Sequence, residues 1–124
     1  MSTFNLAGVL AHHADRFPDR ACLVWGAETI SYGDLHARTG RTAAGLRALG
    51  VGRGDVVAVL LYNCPEFVET MYAVSWLGGV FMPINWRLAP DEVAYITGHA
   101  GARLIVSEPE LGPLADAARA SVGG

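Results

Sequence analysis

Six consecutive apolar residues, Val56, Val57, Ala58, Val59, Leu60 and Leu61, constrain this chain more than any other stretch. Successive side chains of a strand point to opposite faces, so a strand that is apolar at every position needs cover on both sides. The run therefore predicts a central strand of a parallel sheet. The residues after it agree. Asn63 precedes Pro65 and Glu66, which puts proline in a first helical turn and an acid near the positive helix end. The helix carries Phe67, Met71 and Val74 on one side and Val68, Tyr72 and Trp76 on another, so it requires cover from more than the sheet. Tyr72 and Trp76 read as packing against another layer in preference to an aromatic ligand platform.

Residues 78–88, Gly-Gly-Val-Phe-Met-Pro-Ile-Asn-Trp-Arg-Leu, organise the rest. They predict a helix end, a strand over 80–84 and a polar loop in which Arg87 is the first candidate for contact with a ligand. Pro90, Asp91 and Glu92 open another helix, with Val93 and Ile96 facing inward and Gly98 and Gly101 closing it. A third strand over 103–107 and a helix over 110–120 complete the pattern. Strands alternating with helices at this spacing predict right-handed crossovers and a three-stranded parallel unit.

Upstream, Asn5 is placed to cap a helix along which Leu6, Val9, Leu10, His13, Ala14 and Phe17 recur at helical spacing before Pro18. His13 falls on that stripe and reads as a core-edge histidine bonded to backbone, while His12 points elsewhere and adds no ligand geometry. Two β-prone runs, 21–25 and 28–31, flank Gly26-Ala27 and predict a tight hairpin. Ser31 with Asp34 resembles a capping box, and Leu35, Thr39, Thr42, Leu46 and Leu49 trace the inner face of the next helix, which Gly50 stops. The glycines of Gly50-Val51-Gly52-Arg53-Gly54 suggest a phosphate loop. Their order argues against it, because such a loop leaves a strand and opens a helix, whereas this one leaves a helix and feeds a strand with Asp55 at its entrance. The fold class is α/β, a parallel βαβαβ unit with an N-terminal helix and β-hairpin.

The chain has 124 residues, one domain's worth, with a net charge of -3 and 52% apolar residues. That apolar fraction exceeds what so small a globule ordinarily needs, so part of it is expected to face a partner or further polypeptide. All nine cationic residues are arginines. Without lysine the chain supplies no catalytic or phosphate-binding lysine, and it has no basic run of the kind that binds nucleic acid or anionic lipid. Arg38, Arg41 and Arg47 are scattered around a helix and read as a solvated face. Cys22 and Cys64 form neither a disulfide framework nor a metal or redox motif, and both read as buried spectators. With no signal-peptide pattern and no window long enough to span a membrane, the expected location is the cytoplasm.

Several motifs carry a resemblance: Ile30-Ser31-Tyr32-Gly33-Asp34-Leu35, then Leu46-x-x-Leu49-Gly50-Val51-x-x-Gly54-Asp55-Val56-Val57-Ala58. Asn63-Cys64-Pro65-Glu66-Phe67, Gly78-Gly79-Val80-Phe81-Met82-Pro83-Ile84-Asn85 and Arg87-Leu88 come after them in order. Together they resemble the N-terminal part of adenylate-forming, AMP-dependent acyl-CoA synthetases, the fatty-acid–CoA ligases, over most of the chain through Glu108. The resemblance implies that residues 1–124 are an incomplete N-terminal subdomain of an AMP-binding synthetase domain. It implies a full-length enzyme that joins a carboxylate to ATP, releases pyrophosphate and passes the acyl-adenylate to the thiol of coenzyme A. ATP, Mg2+ and coenzyme A are thus implied for the full length, and none is expected to be bound by this chain alone. The family's phosphate loop, approximately Thr-Ser-Gly-Thr-Thr-Gly-x-Pro-Lys-Gly, does not occur here, and neither do the later adenine-binding motifs or the catalytic lysine. The chain is expected to hold no catalytic residue and no metal ligand.

One residue carries over. Arg87 matches the arginine of the family's Asn-x-Arg-Leu element, which in some relatives approaches the nucleotide phosphate of coenzyme A; a guanidinium fork suits phosphate oxygens. Asn85 is placed to hold the loop by bonding backbone, and the competing use of Arg87 is an ion pair with Asp91 or Glu92. Many relatives have proline where this chain has Trp86. Three functional readings result. The first is part of an acyl-CoA synthetase in fatty acid metabolism, whose partner is the remainder of the enzyme. The second is a non-catalytic interaction module that self-associates through exposed apolar surface. The third, ranked last, is a stand-alone nucleotide-binding domain.

Overall fold

In the computed structural model, which describes residues 5–122, β3 (Val56–Leu60) lies between β4 (Val80–Pro83) and β5 (Leu104–Ser107), and all three strands are parallel. The unbroken apolar run thus occupies the central strand, as its pattern requires. Val57, Ala58, Val59 and Leu60 are each fully buried. Alternation along β3 divides the interior into two cores. Val57, Val59 and Leu61 meet α2 (Tyr32–Ala48) and α3 (Pro65–Trp76) through Ala43, Leu46, Ala73 and Val74. Ala58 and Leu60 meet α4 (Pro90–Ala100) and α5 (Gly112–Ser121) through Val93 and Ala118. Successive crossovers therefore use opposite faces, as right-handed connections running in opposite directions across a sheet must.

The N-terminal third forms a separate layer. The helix α1 (Leu6–Arg16) and the antiparallel hairpin of β1 (Ala21–Trp25) and β2 (Glu28–Ser31) close a third core in which Leu10, Ile30 and Leu35 are buried, with Val68 and Tyr72 of α3 against them. This layer covers the second apolar side of α3. Trp76 stacks on His36 with ring centroids 5.2 Å apart, so Tyr72 and Trp76 are both used in packing.

Helix ends obey the local chemistry. Asn5 Oδ1 accepts from the Gly8 N–H at 2.9 Å, and the Ser31 hydroxyl accepts from the Asp34 N–H at 3.1 Å. Glu92 Oε1 accepts from the Ala89 N–H at 2.9 Å, which closes the entrance of α4. At Gly78-Gly79 the chain needs both glycines. Gly78 has φ +75°, and a Cβ on Gly79 would lie 3.0 Å from the Asp55 carbonyl and 3.1 Å from Val74 Cγ1. Because nothing larger fits, β4 starts hard against the end of α3.

The structure corrects several inward-facing assignments. Leu6 and Val9 are half exposed, because α1 approaches α3 through the small residues Ala7 and Gly8. Asn5 Nδ2 donates to the Ser75 carbonyl at 2.9 Å and fixes that orientation. Leu49 is 65% exposed, since α2 stops at Ala48 and the left-handed Gly50 turns the chain so that Val51 enters the core instead. The Val51 N–H donates to the Leu46 carbonyl at 3.1 Å in a Schellman closure. Ile96 is exposed and Thr97 takes the inner position, its hydroxyl donating to the Val93 carbonyl at 2.7 Å. Gly98 lies within α4, and Gly101 alone caps it. The last strand starts at Leu104, one residue after its expected start, and a 3-10 turn over Pro109–Leu111 precedes α5.

Candidate functional site

The C-terminal ends of three parallel strands meet on one side of the molecule, where open α/β sheets bind ligands. After β3 come Tyr62 and Asn63, after β4 the turn of residues 85–88, and after β5 Glu108. The Tyr62 N–H donates to Glu108 Oε1 at 3.3 Å, which links two of these exits.

Arg87 sits on this rim, exposed. Its position is set by Asn85, whose side-chain oxygen accepts from the Arg87 N–H at 3.0 Å while its carbonyl accepts from the Leu88 N–H at 3.1 Å. The expected backbone role of Asn85 is therefore met. The expected competitor is not: Glu92 is engaged at Ala89, and Arg87 forms no ion pair with it or with Asp91. The guanidinium carbon instead lies 4.8 Å from the centroid of the Trp86 ring.

A cleft of about 830 Å³ opens beside the rim, between the hairpin tip at Trp25, the start of α3 and the exit of β5. Its wall is apolar and its polar edge acidic, formed by Glu66, Glu69, Glu108 and Glu110, so it does not suit a phosphate. Tyr62 belongs to the cleft on one side and touches Trp86 on the other, with ring centroids 4.9 Å apart. The β4 turn, by contrast, presents the exposed cation of Arg87.

Arg38, read from spacing as one of a solvated set, is the centre of a charge network. Its Nε donates to Glu69 Oε1 at 2.7 Å, and its terminal nitrogens lie 3.6 Å from Glu28 and 3.7 Å from Glu66. The Arg38 side chain is 26% exposed and that of Glu69 13%. The bond to Glu69 raises the pKa of Arg38 further above its ordinary value. The network joins β2, α2 and α3, and no local motif announces it because its partners are up to 31 residues away.

The remaining candidates lack reactive geometry. Cys22 and Cys64 are free and half-buried, less enclosed than expected, and burial raises both thiols above their ordinary pKa, which disfavours the nucleophilic thiolate. His13 Nδ1 bonds the Val9 carbonyl at 2.9 Å, the backbone role expected of it. Among the described residues no group of three or more His, Cys, Asp or Glu is arranged to hold a metal ion. No helix among the described residues is long and apolar enough to cross a membrane.

The fold and the strand-end turn define a class. The family of AMP-binding enzymes matches residues 10–122, and the chain belongs to that family. It is 41% identical over 115 residues to a long-chain-fatty-acid–CoA ligase of Thermus thermophilus, a match covering 83% of this chain and 21% of the ligase. It is 45% identical over 98 residues to 4-coumarate–CoA ligase 5 of Oryza sativa, covering 77% of this chain and 18% of that protein. The N-terminal domain of FACL13 from Mycobacterium tuberculosis superposes with a TM-score of 0.89 at 32% identity, covering 95% of this chain and 32% of the domain. The chain thus spans about a fifth of the length of these two ligases.

Proposed function

We propose that this chain is the N-terminal building block of an acid–thiol ligase, an incomplete subdomain whose partner is the remainder of the synthetase. The complete enzyme activates a carboxylate with ATP and transfers the acyl group to coenzyme A. Support comes from a family match over nearly the whole chain combined with a length about one-fifth of the matched ligases. Within that enzyme the chain's own contribution is structural, with one binding contact. The exposed guanidinium of Arg87, unpaired with Asp91 or Glu92, offers two parallel donors to the nucleotide phosphate of coenzyme A. Phosphate-directed catalysis requires cations placed where charge develops, and a chain without lysine lacks the family's means of supplying them. The purified 124-residue protein accordingly shows no carboxylate-dependent exchange between ATP and pyrophosphate, and sustained exchange by pure material overturns the proposal.

A second reading, self-association, is favoured by the exposed apolar side chains of Val24 and Trp25 at the hairpin tip. A sharp dimer in sedimentation velocity that Trp25→Ser converts to monomer supports it; a concentration-independent monomer removes it.

A further inference from the structure

Arg87 is held by an aromatic contact rather than an acidic one, and the chemistry of that contact carries a consequence. The guanidinium carbon stands 4.8 Å from the Trp86 centroid, and the Trp86 ring meets Tyr62 edge to face at an interplanar angle of 76°. Trp86 is 38% exposed, so the stack is at the surface yet anchored on the β3 exit through Tyr62. An aromatic ring attracts a guanidinium without accepting the in-plane N–H hydrogen bonds that a carboxylate would take. The ring contact therefore restricts the group while leaving its donors untied to an acid. A carboxylate partner would do the opposite, and the nearby acid Glu92 is occupied by the Ala89 N–H at 2.9 Å.

We infer that Trp86 is a positioning residue: with Tyr62 behind it, it forms a shelf that holds the Arg87 guanidinium edge-out toward a phosphate at the strand ends. The inference rests on the proposed role of Arg87 in binding coenzyme A and adds the residue that sets its direction. Arginine has many rotamers, and a side chain already restricted loses less freedom when it grips an anion. Proline or alanine at position 86 leaves Arg87 chemically intact and conformationally loose.

Two measurements test this, the first on the 124-residue protein. In the absence of ligand, the Arg87 side-chain proton resonances are expected to be shifted upfield by the Trp86 ring current. Trp86→Phe keeps most of that shift and Trp86→Ala abolishes it. Unshifted resonances in the unsubstituted protein overturn the inference outright. Calorimetric titration with coenzyme A, carried out on the complete ligase that contains this chain, then forms a cycle. Trp86→Ala weakens binding about threefold, as expected for an exposed cation–π contact, and Trp86→Phe restores it. Trp86→Ala has no further effect once Arg87→Ala is present, because its action runs through the arginine. Additive effects of the two substitutions overturn the positioning role while leaving the Arg87 contact standing. Equal affinity of Arg87→Ala and the unsubstituted protein, or no binding by either, overturns the Arg87 contact and with it the purpose assigned to the shelf.

Discussion

Replacing Arg38 with methionine tests the largest feature that local sequence patterns did not reveal. The substitution keeps an aliphatic stem of similar reach and removes the cation from three carboxylates. The dominant loss is the bond to Glu69, 2.7 Å long and between side chains only 26% and 13% exposed. Charge-assisted hydrogen bonds of this kind contribute about 1.5–3 kcal/mol. The contacts to Glu28 and Glu66 are longer, 3.6 and 3.7 Å, and involve carboxylates more than half exposed, so solvent screening reduces each to a few tenths of a kcal/mol. The expected cost is about 2 kcal/mol, or roughly 8 °C in Tm for a domain of this size. Urea denaturation monitored by far-UV circular dichroism reads it as a lower midpoint at unchanged slope. Adding 0.5 M NaCl should leave most of the difference, because the shielded Glu69 bond dominates. Arg38→Met combined with Glu69→Met should recover a large part of the loss, since the uncompensated carboxylate is then gone. A single Arg38→Met variant within about 0.5 kcal/mol of the unsubstituted protein would refute the network's structural role.

Packing and burial set two further outcomes. Gly79→Ala drives a methyl group into the Asp55 carbonyl at 3.0 Å and Val74 Cγ1 at 3.1 Å, so it should cost about 1–3 kcal/mol in the same urea assay; an unchanged midpoint would show that the α3–β4 junction relaxes freely. Burial raises the pKa of Cys22, Cys64 and Tyr72, so unfolded thiols and phenol ionise before folded ones as pH climbs. Their contribution is complete below the unfolded thiol pKa of about 8.5 and is lost above it. The urea midpoint should therefore fall between pH 7.5 and 9.5, and a flat or rising midpoint contradicts the assignment.

Much of the fold was legible because its strongest signals are local. An unbroken apolar run can sit only at the centre of a covered sheet, and Ser31, Pro65, Glu92 and Gly101 mark helix ends by chemistry confined to a few residues. Which side of a helix faces inward was less legible. Leu6 and Val9 lose the inner face of α1 to Ala7 and Gly8 because close helix approach selects small residues, a tertiary effect that periodicity does not encode. The same holds for Leu49, displaced by the turn at Gly50. At the candidate site, Asn85 and Arg87 were readable from a four-residue motif, and the bond of Asn85 to the Arg87 N–H is a product of turn chemistry. The edge-to-face contact of Trp86 with Tyr62 and the Arg38 network were not readable, since each depends on residues brought together from separate elements.

If this chain works as part of a ligase several times its size, the mass of the protein carrying the sequence in its source cells tests that directly. The measurement is capture with an antiserum raised against the 124-residue protein, then intact mass spectrometry of the captured material. The expected result is a species several times heavier than 13.1 kDa whose adenylating activity co-purifies with it. A single 13.1 kDa species, with no heavier product in the captured material, would contradict the proposed role.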